Sequence, residues 1–164
     1  MKRERGGFRG VRREQLLQGM GHDAYKAAVK LPEPSVCPQC SAVFHRGRWT
    51  WATAPQRAAK ALCPACRRIR EQQPAGFVRL NGEFFDAHRD EVLKRVRHCE
   101  ASEKRSHPLQ RIMKVEDDGD GLLVTTTDAH LARRIGDSLR DAYKGELKYR
   151  YGKDENLLRA TWRR

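Results

Sequence analysis

The sequence predicts an α+β protein: a small four-cysteine module followed by an α-β-β-α-β-β domain whose helices cover one face of an antiparallel sheet. Three observations lead there. Four of the five cysteines fall in two Cys-Pro-x-Cys pairs, Cys37/Cys40 and Cys63/Cys66, separated by 22 residues. Two stretches carry apolar residues at helical spacing: Phe85, His88, Val92 and Val96, then Leu131, Ile135, Leu139 and Ala142. Two pairs of short alternating or apolar runs flank clusters of turn residues, the mark of hairpins.

The 164 residues divide at two breaks. Leu31-Pro32-Glu33-Pro34 is stiff and ends a basic arm, residues 1–34. Pro74-Ala75-Gly76 ends the cysteine module, residues 35–75, and residues 76–164 form the α+β domain. In the arm, Gly6, Gly7 and Gly10 mix with Arg9, Arg12, Arg13 and Phe8, too little apolar matter for a core. Residues 14–30 carry Leu16, Leu17, Met20 and Tyr25 as the apolar side of a helix, which Gly19 and Gly21 weaken.

Within the domain, a short lead-in precedes a helix starting near Gly82, with Phe84 and Leu93 widening its stripe. Residues 110–127 read as a hairpin: Ile112, Met113 and Val115, the turn Asp117-Asp118-Gly119-Asp120-Gly121, then Leu122 to Thr125. Thr127 or Asp128 suits the cap of the next helix, and Gly145 its end. Leu147, Tyr149 and Tyr151 alternate with Lys148 and Arg150. After a turn at 152–156, Leu158, Ala160 and Trp162 alternate with Arg159 and Arg163.

Hydrophobic residues make up 38% and charged residues 34%, and no run approaches the ~20 apolar residues of a spanning helix. The basic N-terminus has no apolar segment behind it, so a secretory signal is not expected. Paired CxxC cysteines suit metal binding in a reducing compartment, which places the protein in the cytoplasm. The net charge is +13. Residues 1–30 hold eight Lys/Arg against three Asp/Glu and residues 31–75 hold seven against two, a net +5 each; residues 76–164 hold nineteen against sixteen. Polyanions are the expected partners of such a first half.

Structural zinc takes four tetrahedral ligands, often all thiolate, and a CxxC turn brings two sulfurs to one ion. Two such turns assign Cys37, Cys40, Cys63 and Cys66 as ligands of one zinc ion with no position left for substrate. The insert Ala42-Val43-Phe44, His45-Arg46-Gly47, Arg48-Trp49-Thr50-Trp51 reads as a hairpin, compatible with either a zinc ribbon or a treble clef. Around it stand Arg46, Arg48, Arg67, Arg68 and Arg70, with Trp49 and Trp51 on the same strand. Arginine with aromatic rings suits phosphates and stacked bases. Lys148, Arg150, Arg159 and Arg163 would share the open face of the sheet if Tyr149 and Trp162 face the helices, offering a second contact for RNA.

No enzyme is expected. P-loop, GxGxxG, HExxH and GxSxG motifs are absent. Asp90 and Glu91 are adjacent and point to different helix faces. Asp117, Asp118 and Asp120 form a fragment of a calcium loop that a hairpin turn explains. His88, His98, Cys99 and His107 match no ligand template, and Cys99 as nucleophile needs a histidine brought to it by the fold.

Cys37-Pro-Gln-Cys40, Gly47-Arg48-Trp49, Cys63-Pro-Ala-Cys66-Arg67-Arg68-Ile69, Gly82-Glu83-Phe84, His88-Arg89-Asp90-Glu91, His107-Pro108, Arg111-Ile112-Met113, Thr125-Thr-Thr-Asp128-Ala129-His130 and Tyr143-Lys144-Gly145-Glu146 together resemble a family of short bacterial proteins. That family is similar to the zinc-binding N-terminal part of the Nmd-three adaptors of large ribosomal subunit maturation and export. The resemblance covers residues 36–164 and carries over the four cysteines. The Nmd-three proteins usually have further CxxC pairs, a second metal and later domains, so export is not implied. What it implies is association with rRNA or the large subunit, in assembly, quality control or stress. The alternative is a zinc-ribbon adaptor that binds a protein partner through the tryptophan hairpin.

Overall fold

The computed structural model describes residues 30–152 and 157–164. The expected arm and helix of residues 1–29 lie outside them.

The chain begins with a small four-stranded sheet of order β3-β2-β1-β4: β1 (Ser35–Val36), β2 (Val43–His45), β3 (Arg48–Thr50) and β4 (Ala59–Lys60). Arg46 and Gly47 both have positive φ, 50° and 73°. A two-residue hairpin loop needs both central residues left-handed to match strand twist, so β2 and β3 pair tightly here. Helix α1 (Pro64–Glu71) follows, with Pro64 where its fixed φ favours a helix start.

The rest is a five-stranded sheet of order β6-β7-β5-β9-β8. It comprises β5 (Gly76–Asn81), β6 (Ile112–Asp117), β7 (Leu122–Thr126), β8 (Glu146–Tyr151) and β9 (Leu158–Arg163). Helices α2 (Glu83–Ala87), α3 (Arg89–Ser106) and α4 (Ala129–Tyr143) complete it. The α+β class holds, with two departures. Residues 76–81, expected as a lead-in, form the central strand, with Val78 and Leu80 wholly buried. The sheet is mixed rather than antiparallel, because β5 pairs in parallel with β9, Gly76 opposite Leu158.

Asp128 caps α4, its carboxylate accepting from the backbone N–H of His130 and Leu131 at 2.8 and 3.2 Å. Of the predicted face of this helix, Leu131, Ile135 and Leu139 are buried while Ala142 is exposed; Ala132 and Gly136 are buried as well. On the first helical stripe Phe85, Val92 and Val96 are buried. His88 is exposed, breaks the stripe into α2 and α3, and stacks on Phe84 with centroids 4.1 Å apart.

Trp162 and Tyr149 do face the helices. The Trp162 indole N–H donates to the Lys144 carbonyl at 2.8 Å, and the Tyr149 hydroxyl donates to Asp137 Oδ1 at 2.8 Å. Burial first, then the Asp137 carboxylate, holds the Tyr149 phenol above its usual range. The fold therefore favours its neutral form. That contribution is complete below about pH 10, where the unfolded side chain titrates, and is lost as pH rises further. Tyr149→Phe is expected to cost about 1 kcal/mol at neutral pH and to lessen the alkaline loss of stability. Denaturant unfolding of both proteins across that range checks it.

Candidate metal centre

Cys37 and Cys40 come from the turn between β1 and β2. The Ser41 N–H donates to the Cys37 carbonyl at 2.9 Å, closing the knuckle, and Ser41 takes a positive φ of 66°. Cys63 is the N-cap of α1 and Cys66 lies in its first turn. Orphan N–H groups at a helix start seek acceptors, and here the Cys66 N–H points at Cys63 Sγ (3.4 Å). The Cys63 N–H points likewise at Cys37 Sγ (3.4 Å). A knuckle, a hairpin and a helix whose N-terminus supplies the second pair is the treble-clef plan, which resolves the ribbon alternative.

The four sulfurs lie within 4.8 Å of one another. Cys40 and Cys63 are 3.7 Å apart, close to the edge of about 3.8 Å that a tetrahedron with metal–sulfur bonds near 2.3 Å requires. Cys37 and Cys63 are essentially inaccessible, 1% and 0% exposed. The donor set suits a metal ion enclosed by thiolates.

Electrostatics divide the thiols. Burial works against ionisation of Cys37, but backbone N–H groups of Cys63, Cys40 and Gln39 outweigh it and bring the thiol down to about 7. Burial, followed by the neighbouring thiolates, pushes Cys63 up, and burial also raises Cys66 despite the guanidinium of Arg111 beside it. A metal cation supplies the charge that lets all four remain thiolates together.

Arg111 is the residue that sequence reasoning missed. It stands just before β6 and is 8% exposed. Its two terminal nitrogens donate to Cys66 Sγ at 3.3 Å, Cys40 Sγ at 3.1 Å and Cys63 Sγ at 3.5 Å. Nε donates to the Pro108 carbonyl at 2.8 Å. Nothing in its sequence neighbourhood announces this role.

The expected nucleic-acid residues are placed as follows. Arg46, Arg48, Arg67 and Arg70 are exposed around the metal module. Arg68 is not: it is 6% exposed and donates to the Gln73 carbonyl at 3.0 Å, binding the C-terminal end of α1. Unlike Arg67 and Arg70, its side chain is turned away from solvent. Trp49 is half-buried, packs on the cysteine cluster and meets Phe44 at 5.4 Å. Trp51 is 41% exposed and donates its indole N–H to the Lys104 carbonyl at 2.6 Å.

Lys148, Arg150, Arg159 and Arg163 are all exposed on the sheet face opposite the helices. The central strand adds Phe77 and Arg79 to that face, with the Arg159 guanidinium 4.3 Å from the Phe77 ring centroid. Arg79 pairs with Asp118 at 2.6 Å, and Lys148 with Glu146 at 2.8 Å. Arg150 and Arg163 make no ion pair among the described residues.

Among the described residues no other group of three or more His, Cys, Asp or Glu gathers around a point, so His88, His98, Cys99 and His107 form no second centre. Asp117 and Asp118 instead accept backbone N–H groups of their own turn. Cys99 packs half-buried against the core, and burial then Glu103 raise its thiol. No described helix is long and apolar enough to cross a membrane.

Fold and site together define a treble-clef metal module joined to an α+β domain. No protein-family model matches the chain, nor does a curated protein or a solved structure.

Proposed function

We propose that the protein is a zinc-binding, RNA-binding protein of the cytoplasm that associates with rRNA or the large ribosomal subunit, and that it catalyses no reaction. A closed set of four thiolates favours zinc in a structural role, and such a site suits a reducing compartment. The observation that carries the RNA reading is the open sheet face. Five cationic side chains, Arg79, Lys148, Arg150, Arg159 and Arg163, share that face with one aromatic ring, Phe77, over which Arg159 lies. Open sheets with cations for the backbone and an aromatic for a base are a recurrent way of holding single-stranded RNA. Ribosomal RNA is abundant and offers unpaired loops and bulges to such a face, and the resemblance to the Nmd-three zinc region points the same way.

Sedimentation of tagged protein from gently lysed cells, across a salt series and with or without nuclease, tests this. Salt-sensitive migration with large subunits is expected. Combined Arg150→Glu, Arg159→Glu and Arg163→Glu should release the protein to the top of the gradient. In filter binding to rRNA fragments, each arginine withdrawn from a phosphate should lower the salt slope by roughly 0.7–0.9. Migration at the top for the unaltered protein in every condition would overturn the reading.

A protein partner is the second reading, favoured by one feature. A cleft of about 750 Å³ runs between the metal module and the α+β domain, with Phe44, Trp49, Leu62, Pro64 and Leu109 among its lining. Recovery of one partner that survives nuclease, and its loss on Leu109→Glu, would favour this reading.

A further inference from the structure

We infer that Arg111 is an outer-sphere positioning residue of the metal centre, and that through it metal occupancy governs whether the treble clef stays docked on the α+β domain.

Four thiolates around a divalent cation leave a net charge of −2 at the centre. Such a charge is costly to bury unless compensated. Arg111 is the cation placed to do so, with three N–H···S contacts between 3.1 and 3.5 Å. Its own position is fixed from the other domain. The Arg111 N–H donates to Thr127 Oγ1 and the Thr127 N–H donates to the Arg111 carbonyl, both at 2.9 Å. The Thr127 hydroxyl lies 2.6 Å from the Leu109 carbonyl. The guanidinium is therefore held by the end of β7 and the loop before β6, yet its three sulfur partners belong to the metal module.

The surroundings make this contact a joint rather than an ornament. Leu109 packs against the cysteine cluster. Trp51, from the metal module, lies 6.0 Å from the guanidinium and is tied by its indole N–H to Lys104 at the end of α3. A planar cation gripped on several edges is a task for arginine, since lysine offers only a point charge.

Without metal the four sulfurs have no common ion to hold them together, and the buried guanidinium loses the anionic cluster it faces. It would then leave the cysteine cluster for water, and the Leu109 and Trp51 contacts would loosen with it. With metal bound, the N–H···S bonds withdraw electron density from sulfur. That makes the thiolates poorer nucleophiles and slows both alkylation and metal loss. Partners of this kind typically contribute roughly 10–100-fold in metal affinity.

The test uses the full-length protein loaded with zinc alone. Release to a chromogenic chelator is followed for the unaltered protein, Arg111→Lys and Arg111→Met, alongside the rate of cysteine alkylation by a maleimide. Arg111→Met should lose zinc roughly 10–100-fold faster, with Arg111→Lys between it and the unaltered protein, and alkylation should follow the same order. Equal rates for all three would overturn the proposal. In case the variants misfold, the unaltered protein is also titrated with chelator while its indole N–H resonances are observed. The Trp51 signal should move and exchange faster, while that of Trp162, inside the sheet domain, stays in place. A Trp51 signal indifferent to zinc removal would equally overturn it. Neither measurement involves RNA, so the result stands apart from the reading of function.

Discussion

Cys63→Ser is expected to abolish metal binding and unfold the treble clef while leaving the five-stranded sheet folded. Cys63 joins every part of the centre. It caps α1, receives the Cys66 N–H, approaches Cys40 to 3.7 Å and contacts Arg111. Serine retains the capping oxygen, so the loss traces to the metal rather than to the helix start. The module has few alternatives to the metal. Its strands are two or three residues long, and apart from the cysteines its buried apolar side chains are only Ala42, Val43, Ala65 and Ala75. Apparent binding energies of about 10–16 kcal/mol for structural zinc in small modules exceed anything that core supplies. Metal content per chain should fall from one to zero. Hydrogen exchange should lose protection across residues 35–73 but not in β5, β7 and β9. Retention of one metal per chain would show that three ligands suffice.

Trp162→Ala should destabilise the α+β domain by about 3–5 kcal/mol, the range for truncating a large buried aromatic. The side chain is wholly buried on β9. Phe84 meets it edge-on at 6.4 Å and Tyr143 lies 6.2 Å away. Its indole N–H satisfies the Lys144 carbonyl just past the end of α4, so the substitution both opens a cavity and orphans an acceptor. The denaturant midpoint should fall with the slope unchanged. A loss below about 1 kcal/mol would mean the site collapses around the gap.

Local signals carry most of what the sequence discloses. The cysteine ligands follow from a spacing that a tight turn dictates. The hairpins and the two long helices follow from periodicities that need only a few neighbouring residues. The same signals do not choose between treble clef and ribbon: Pro follows both Cys37 and Cys63, yet only Pro64 opens a helix. Features that depend on distant partners are not legible in this way. Strand β5 sits between Pro74 and Gly82 and owes its place to β7 and β9 on either side. Arg111 meets sulfurs on residues far earlier in the chain. Arg67, Arg68 and Arg70 look alike as a basic run, yet the turn of α1 directs Arg68 alone inward. Charge counts the arginines; only the helix axis decides which of them meets water.

The parallel pairing of β5 with β9 has a consequence for the order of events during synthesis. A ribosome delivers β5 early and β9 late, at roughly 5–20 residues per second. Until residues 158–163 emerge, β5 is an edge strand carrying Val78 and Leu80, and no hairpin elsewhere in the domain can cover that side. The helices and the β6–β7 hairpin can form as they appear, but the sheet closes around its middle only at the last step. Contacts so far apart along the chain make for slow folding. The metal module, complete by residue 73, needs none of this and can take its ion first. All four cysteines of the metal module thus leave the ribosome well before the strand that completes the sheet, and Arg111 follows them.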